Sequence, residues 1–340
     1  MKRYLHAFGM CQSMFCAIPR PYQGWDEDAR PLMLLFLPLV GLEMGLLWAL
    51  GGWLCRALEL NNLITGAVLC ALPYLLSGFI HLDGFMDVSD AVGSCRSIEK
   101  RREILKDSHV GAFAVIGCSL LMVFSFAFCA GATADCGILV LIPAVSRCCS
   151  ALAVTALRPM YTSQYAGSFR EGVSREQVIT LAVLLLIAVA AGLILLGRMG
   201  LVLLFQVAAY ALALRKGFKS LEGMNGDISG YALTLSELAA VAAWSLLERR
   251  EHHASDHRRC LYGQADLCEG NLRLYPGADL RLHRNGTGLF LSLHHPSGRL
   301  CLRLYSAGRR SGGEFSEQPG PLGKQCPDLP GYIRRHRPHG

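Results

Sequence analysis

The sequence predicts an all-α fold: a polytopic integral membrane protein with six or seven transmembrane helices, followed by an irregular C-terminal tail. Three observations carry this. The 340-residue chain is 52% hydrophobic with a mean hydropathy of +0.33, too apolar for an ordinary soluble protein. The excess gathers into separate runs, several of them near the roughly 20 residues that a helix needs to cross hydrocarbon. After residue 247 the runs stop, and the chain turns rich in Arg, His, Gly and Pro.

In chain order, the N-terminus MKRYLHAFGMCQSMFCAIPRP reads as an amphipathic lead-in. Arg20, Pro21 and the lack of a small-residue cleavage site argue against a removed signal peptide. Six spans are predicted at 31–54, 63–80, 111–130, 137–157, 178–196 and 199–214. A seventh segment, 231–247, is short and carries Glu237, so it reads either as a span or as a re-entrant, tightly packed helix. Residues 1–247 then form a membrane-embedded domain and 248–340 an extension. Short alternating pieces of that extension, such as LRLHRN and GLFLSLHH, suit a few strands. Its composition otherwise suggests a poorly ordered segment or an out-of-frame reading of the gene.

Ten of the 14 cysteines lie in the first 150 residues, many inside apolar runs, and no CxxC pair is present. They read as polarizable packing residues, not as disulfides or a zinc site. The formal charge is +7, but 248–340 holds 15 Lys or Arg against nine Asp or Glu and so supplies +6 of it. A nucleic-acid partner is therefore not expected; the partner of the first domain is the lipid bilayer, and a homo-oligomer is admitted. Basic residues cluster in 81–110, 158–177 and 215–222, loops separated by even numbers of crossings. By the positive-inside rule these loops face the cytoplasm of a cell (inner or plasma) membrane protein.

The first of those loops packs six acidic and five basic side chains into residues 81–111. At about 100° per residue, Asp83, Asp87 and Asp90 share one helical face. Three carboxylates on one face call for a cation, and hard oxygen donors suit Mg²⁺. Gly84 would let a phosphate or metal approach the backbone. Arg96, Arg102 and Lys106 can hold phosphate oxygens, His81 and His109 can move protons, and Arg147 within an apolar run must pair with a carboxylate or phosphate. The plain structural reading is a solvated helix start with basic residues that set topology, and with Asp107 and Ser108 capping the next helix. A second acidic position, Asp227, stands among Gly223, Gly226 and Gly230 on the same membrane face.

Taken in order, Ile18-Pro19-Arg20-Pro21 with Trp25-Asp26, FLPLVGLEMG (36–45), HLDGFMDVSDAVG (81–93), LKDSHVGAFAVIG (105–117), Ser146-Arg147 and GMNGDISGYALTLSE (223–237) resemble the cobalamin synthase family, adenosylcobinamide-GDP ribazoletransferase. The likeness covers roughly residues 5–247. It implies an Mg²⁺-dependent transferase of a substituted phosphate group. Such an enzyme joins adenosylcobinamide-GDP to α-ribazole or its 5′-phosphate and releases GMP, in the last steps of cobalamin biosynthesis. The resemblance implies Asp83, Asp87 and Asp90 as metal ligands, with Asp227 adding a ligand or orienting the hydroxyl. His81 and His109 would then transfer protons, and Gly84, Arg96, Arg102, Lys106, Arg147 and Gly226 would face substrate. Asn225 replaces a threonine-like residue of the family pattern, and the extension has no counterpart in it.

Two rivals remain at this point. A membrane CDP-alcohol-type phosphotransferase also uses spaced aspartates, but its Asp-Gly pair is followed by Ala-Arg, where this chain has Phe85-Met86. A cation transporter would distribute acids through the membrane, whereas only Glu43 and Glu237 lie deep here.

Overall fold

The computed structural model describes residues 2–19, 24–132, 136–160, 172–266, 279–285, 288–295 and 298–304. Arg20, Pro21, the 133–135 connection, the stretch 161–171 with Arg170, and Lys324 lie outside the described residues. Helix α1 (Lys2–Phe15) turns Ala7, Met10 and Cys11 into the core, as an amphipathic lead-in does. The bundle follows: α2 (Leu37–Ala57), α3 (Asn62–Leu76), α4 (Ile80–Gly93), α5 (Ile98–Ile104), α6 (Ala112–Gly131), α7 (Ile142–Ala156), α8 (Arg175–Leu196), α9 (Leu201–Leu221) and α10 (Gly226–Asp266). Local chemistry sets several starts. Asn61 accepts from the Ile64 N–H at 2.9 Å to begin α3, and Ser174 with Gln177 forms a capping box on α8.

Five helical stretches are long and apolar enough to cross a membrane, or six when α3 and α4 count as one span bent by 91°. One of the five, Arg175–Leu221, has 47 residues, about 70 Å of helix and more than twice the hydrocarbon thickness. It reverses at Gly197, where φ is +54°. A Cβ on Gly200 would lie 2.5 Å from the carbonyl carbon of Gly192, whereas a straight helix would separate these residues by about 12 Å. Helices α8 and α9 are thus two passes, and the described residues make seven. The segment that carries Glu237 is a continuous, mostly buried helix, not a re-entrant loop.

With alternating passes, the α3–α4 break, α5, the end of α7, the end of α9 and the start of α10 meet at one end of the bundle. Hydrogen bonds between them bear this out: Arg101 Nη1 donates to the Ser220 carbonyl at 3.3 Å, and Met160 N donates to the Met224 carbonyl at 2.8 Å. Helix α7 sits at the centre, packed on α2, α8 and α9. Gly41 and Gly45 of α2 have backbone of the α7 segment directly against them, the small-residue packing that membrane helices use in place of a hydrophobic drive. Helices α6 and α8 turn Ile116, Phe124, Ile187 and Leu195 outward, where lipid covers them.

The chain divides into two compact units, Met1–Arg259 and Cys260–Gly340. In the second, β1 (Asp279–Asn285), β2 (Gly288–His295) and β3 (Gly298–Leu304) form an antiparallel sheet in sequence order. The period-two alternation of those pieces is satisfied, and they form the few strands it suits.

Candidate active site

The acidic residues are assembled by two close helix crossings. A Cβ on Gly84 would stand 2.9 Å from Asp227 Cα, and one on Gly230 would stand 3.0 Å from the His81 carbonyl oxygen. Helix α4 therefore packs backbone to backbone on the first turns of α10. Phe85 stacks on Tyr231 at 5.7 Å, and Thr234 Oγ1 donates to the His81 carbonyl at 3.2 Å. Gly84 is thus explained by helix packing, and this is what carries Asp227 to the aspartates of α4. The charges acting on Asp87 are those of Asp83, Asp227 and Asp90. Asp83 is exposed, while Asp87 and Asp227 are half-buried.

Asp227 is held by its own turn. Asn225 accepts from the Ile228 N–H at 2.9 Å, capping α10, and its amide donates to Asp227 Oδ2 at 2.6 Å. One side chain therefore starts the helix and aims the carboxylate. A hydroxyl pair, Ser150 and Ser229 at 2.6 Å, with Tyr210 at 3.4 Å from Ser229, ties this turn to α7 and α9. Gly226 has open space around its Cα and leaves the N-terminus of α10 uncovered. Sequence reasoning treated Asn225 only as a departure from the family pattern; an Asn three residues before Ile228, at the head of an apolar helix, was the capping signal.

Asp90 is engaged elsewhere. Its carboxylate accepts from the N–H of Gly111 at 2.6 Å and of Ala114 at 2.9 Å, capping α6 from a neighbouring helix. That is the cap expected of Asp107 and Ser108. Gly111 makes it feasible, since a Cβ there would lie 2.6 Å from Asp90 Oδ1. Both oxygens of Asp90, expected from the sequence as a metal ligand, thus accept from α6 amides. We expect Asp90→Ala to cost about 1–2 kcal/mol of stability, with turnover per folded molecule largely kept. Thermal unfolding in detergent, run beside an activity assay, checks this.

Several other expected site residues have structural partners. Arg147 is 1% exposed, and its Nη1 donates to Glu237 Oε1 at 2.6 Å, while Ser146 Oγ donates to the same oxygen at 2.7 Å. It crosslinks α7 and α10 inside the bundle. Arg102 donates through Nε and Nη2 to the Leu221 carbonyl at 3.0 and 2.8 Å, closing the C-terminus of α9. His81 is buried and stacks on Phe15 at 6.1 Å, and its Nε2 has no hydrogen-bond partner among the described residues. His109 is exposed and hydrogen-bonds Asp107 at 2.6 Å, a contact that holds the Asp107 carboxyl below the usual carboxylate range. Arg96 and Lys106 remain exposed on the segment around α5, open to phosphate.

Among the described residues no three His, Cys, Asp or Glu side chains gather tightly enough to enclose an ion by themselves. Mg²⁺ does not require this, since it takes one or two carboxylates and completes its shell with water and substrate phosphates. Asp87 and Asp227, two carboxylates from facing helices in a half-buried setting, fit that demand.

The match to known families follows this geometry. The family model of cobalamin-5-phosphate synthase matches residues 7–245, which includes every aspartate above. The chain belongs to the cobalamin-5-phosphate synthase family. A relative from Clostridium perfringens, named adenosylcobinamide-GDP ribazoletransferase, is 36% identical over 71% of this chain and 98% of its own length. Relatives of the same name from Clostridium botulinum and Brevibacillus brevis are 34% and 32% identical, over 71% and 72% of this chain and 97% and 100% of their own. No solved structure matches the chain. The region shared with the family ends within α10, and the three-stranded extension lies beyond it.

Proposed function

We propose that the chain is an adenosylcobinamide-GDP ribazoletransferase that works at the bundle end where α4 meets α10. The observation that carries this reading is the Gly84 crossing, which sets Asp227 beside Asp83 and Asp87 at the end that also holds Arg96 and Lys106. Carboxylates for a cation and exposed cations for phosphate together suit a nucleoside diphosphate ester. By the charge of its loops, this end faces the cytoplasm.

In the reaction, a ribose hydroxyl oxygen of α-ribazole bonds to the phosphorus that bears the cobinamide alkoxide. The phosphorus–oxygen bond to the GMP phosphate breaks, and GMP leaves with that electron pair. Asp87 and Asp227 would hold Mg²⁺, and Asn225 keeps the second of them aimed. Bound there, Mg²⁺ supplies charge neutralisation on the diphosphate oxygens. Asp83, exposed at the edge of the cluster, accepts the hydroxyl proton. Arg96 and Lys106 draw the diphosphate to the cluster, and the buried α4–α10 contact fixes the carboxylates before substrate arrives.

The transporter reading loses ground because Glu237, one of the two deep acids, is neutralised by Arg147. The test is direct: full-length protein in detergent or membranes receives adenosylcobinamide-GDP, α-ribazole 5′-phosphate and Mg²⁺, and GMP is followed. GMP with a matching corrinoid product, lost on adding a chelator and restored by excess Mg²⁺, is expected. Well-inserted protein that releases no GMP would overturn the reading.

A further inference from the structure

A cavity of about 590 Å³ opens where the end of α1 meets the break between α3 and α4. Its walls include Met14 and Ala17 from the α1 side, Ser77, Gly78 and Phe79 from the break, and Asp83 of α4. Asp83 therefore belongs both to this cavity and to the carboxylate cluster. Whatever occupies the cavity lies against the reacting centre.

The break itself is unusual. Gly78 and Phe79 both adopt left-handed backbone, with φ of +60° and +63°. For glycine this costs little, but for a bulky residue it is a strained conformation that persists only where its surroundings demand it. The conformation redirects the chain by 91° between α3 and α4, and Phe79 is left 50% exposed at the cavity wall. The α1 side is tied in place by the Ala17 N–H, which donates to the Leu76 carbonyl at 2.8 Å.

We propose that this cavity binds the aromatic base of the α-ribazole substrate, a deepening that rests on the transferase reading above. The volume lies within the roughly 300–1,000 Å³ of small-ligand pockets, which a nucleoside can occupy. The walls select the base. Phe79 and Met14 offer an aromatic ring and a polarizable thioether to a flat aromatic base, and Ser77 is the small polar neighbour. With the base between α1 and the break, the ribose falls at Asp83, and its hydroxyl lies at the edge of the carboxylate cluster of Asp83, Asp87 and Asp227.

The experiment measures equilibrium binding of α-ribazole, and separately of GDP, to full-length protein in detergent. Ala17 is exposed at its Cβ and contributes only backbone to the fold, so Ala17→Trp fills the cavity without disturbing the core. Ser13→Trp, on the same wall, is the second variant, and both are checked for monodispersity and thermal unfolding. A loss of α-ribazole affinity of tenfold or more in either folded variant, with GDP binding unchanged, is the expected result. Loss of GDP binding alone would overturn the proposal and assign the cavity to guanine. Unchanged α-ribazole binding in both variants would overturn the cavity while leaving the transferase reading intact. Wild-type protein that binds neither ligand would overturn both.

Discussion

Asp87→Ala is expected to lower GMP release by at least about a thousandfold, while the protein still inserts and unfolds at nearly its normal temperature. The magnitude is that of removing a preorganised charged group from a phosphoryl-transfer site, about 4 kcal/mol of barrier. The stability expectation has a separate basis. The charges around Asp87 are all negative, so its removal relieves repulsion and leaves no hydrogen bond behind. Asp227→Ala should match it in activity but lose some stability, because Asn225 then loses its carboxylate partner. Steady-state GMP release on membranes of matched protein content checks both. An Asp87→Ala protein with normal turnover would remove the carboxylate cluster from the chemistry altogether.

Arg147→Ala is expected to give the largest loss of stability in the chain, about 3–5 kcal/mol, through the buried pair and not through substrate. The Arg147 guanidinium and the Glu237 carboxylate are respectively 1% and 10% exposed at their side chains, and Ser146 shares the same carboxylate oxygen. Removing either ion leaves the other unpaired in a low-dielectric interior. The double change Arg147→Met with Glu237→Leu should therefore cost less than the sum of the single changes, since it removes both desolvated charges and keeps the volume. Unfolding of the three variants in detergent measures the coupling. Additive losses would show that the two residues act independently, and a selective rise in KM for adenosylcobinamide-GDP would return Arg147 to the substrate site.

The two predictions separate what the residues have in common. Asp87, Asp90, Arg147 and Arg102 all looked alike in the sequence: charges beside or within apolar runs, each a candidate for the site. The structure splits them by partner. Asp90 meets two amides of α6, Arg102 meets the last carbonyl of α9, and Arg147 meets Glu237 some 90 positions away. Asp83 and Asp227 act on Asp87 across the α4–α10 crossing, with Asp90 behind them. Charge and spacing identify groups that need compensation, but they do not say whether a helix end, an ion pair or a ligand supplies it.

The sequence by itself determined the membrane class, the order of the spans and the end of the bundle at which the aspartates lie. Those follow from local quantities: the length of apolar runs against the bilayer thickness, and the placement of Lys and Arg in short loops. It also marked the helix period that places Asp83 and Asp87 on one face, and the alternation that makes strands of 279–304. What only the tertiary structure decided is which face meets which. The Gly84 and Gly230 crossings, the Asp90 cap across to α6 and the reversal at Gly197 each join residues distant in sequence through close backbone approach. The physical reason is that a glycine or an aspartate states locally only what it permits, close contact or an unpaired charge. The partner that uses that permission is chosen by the packing of the whole bundle.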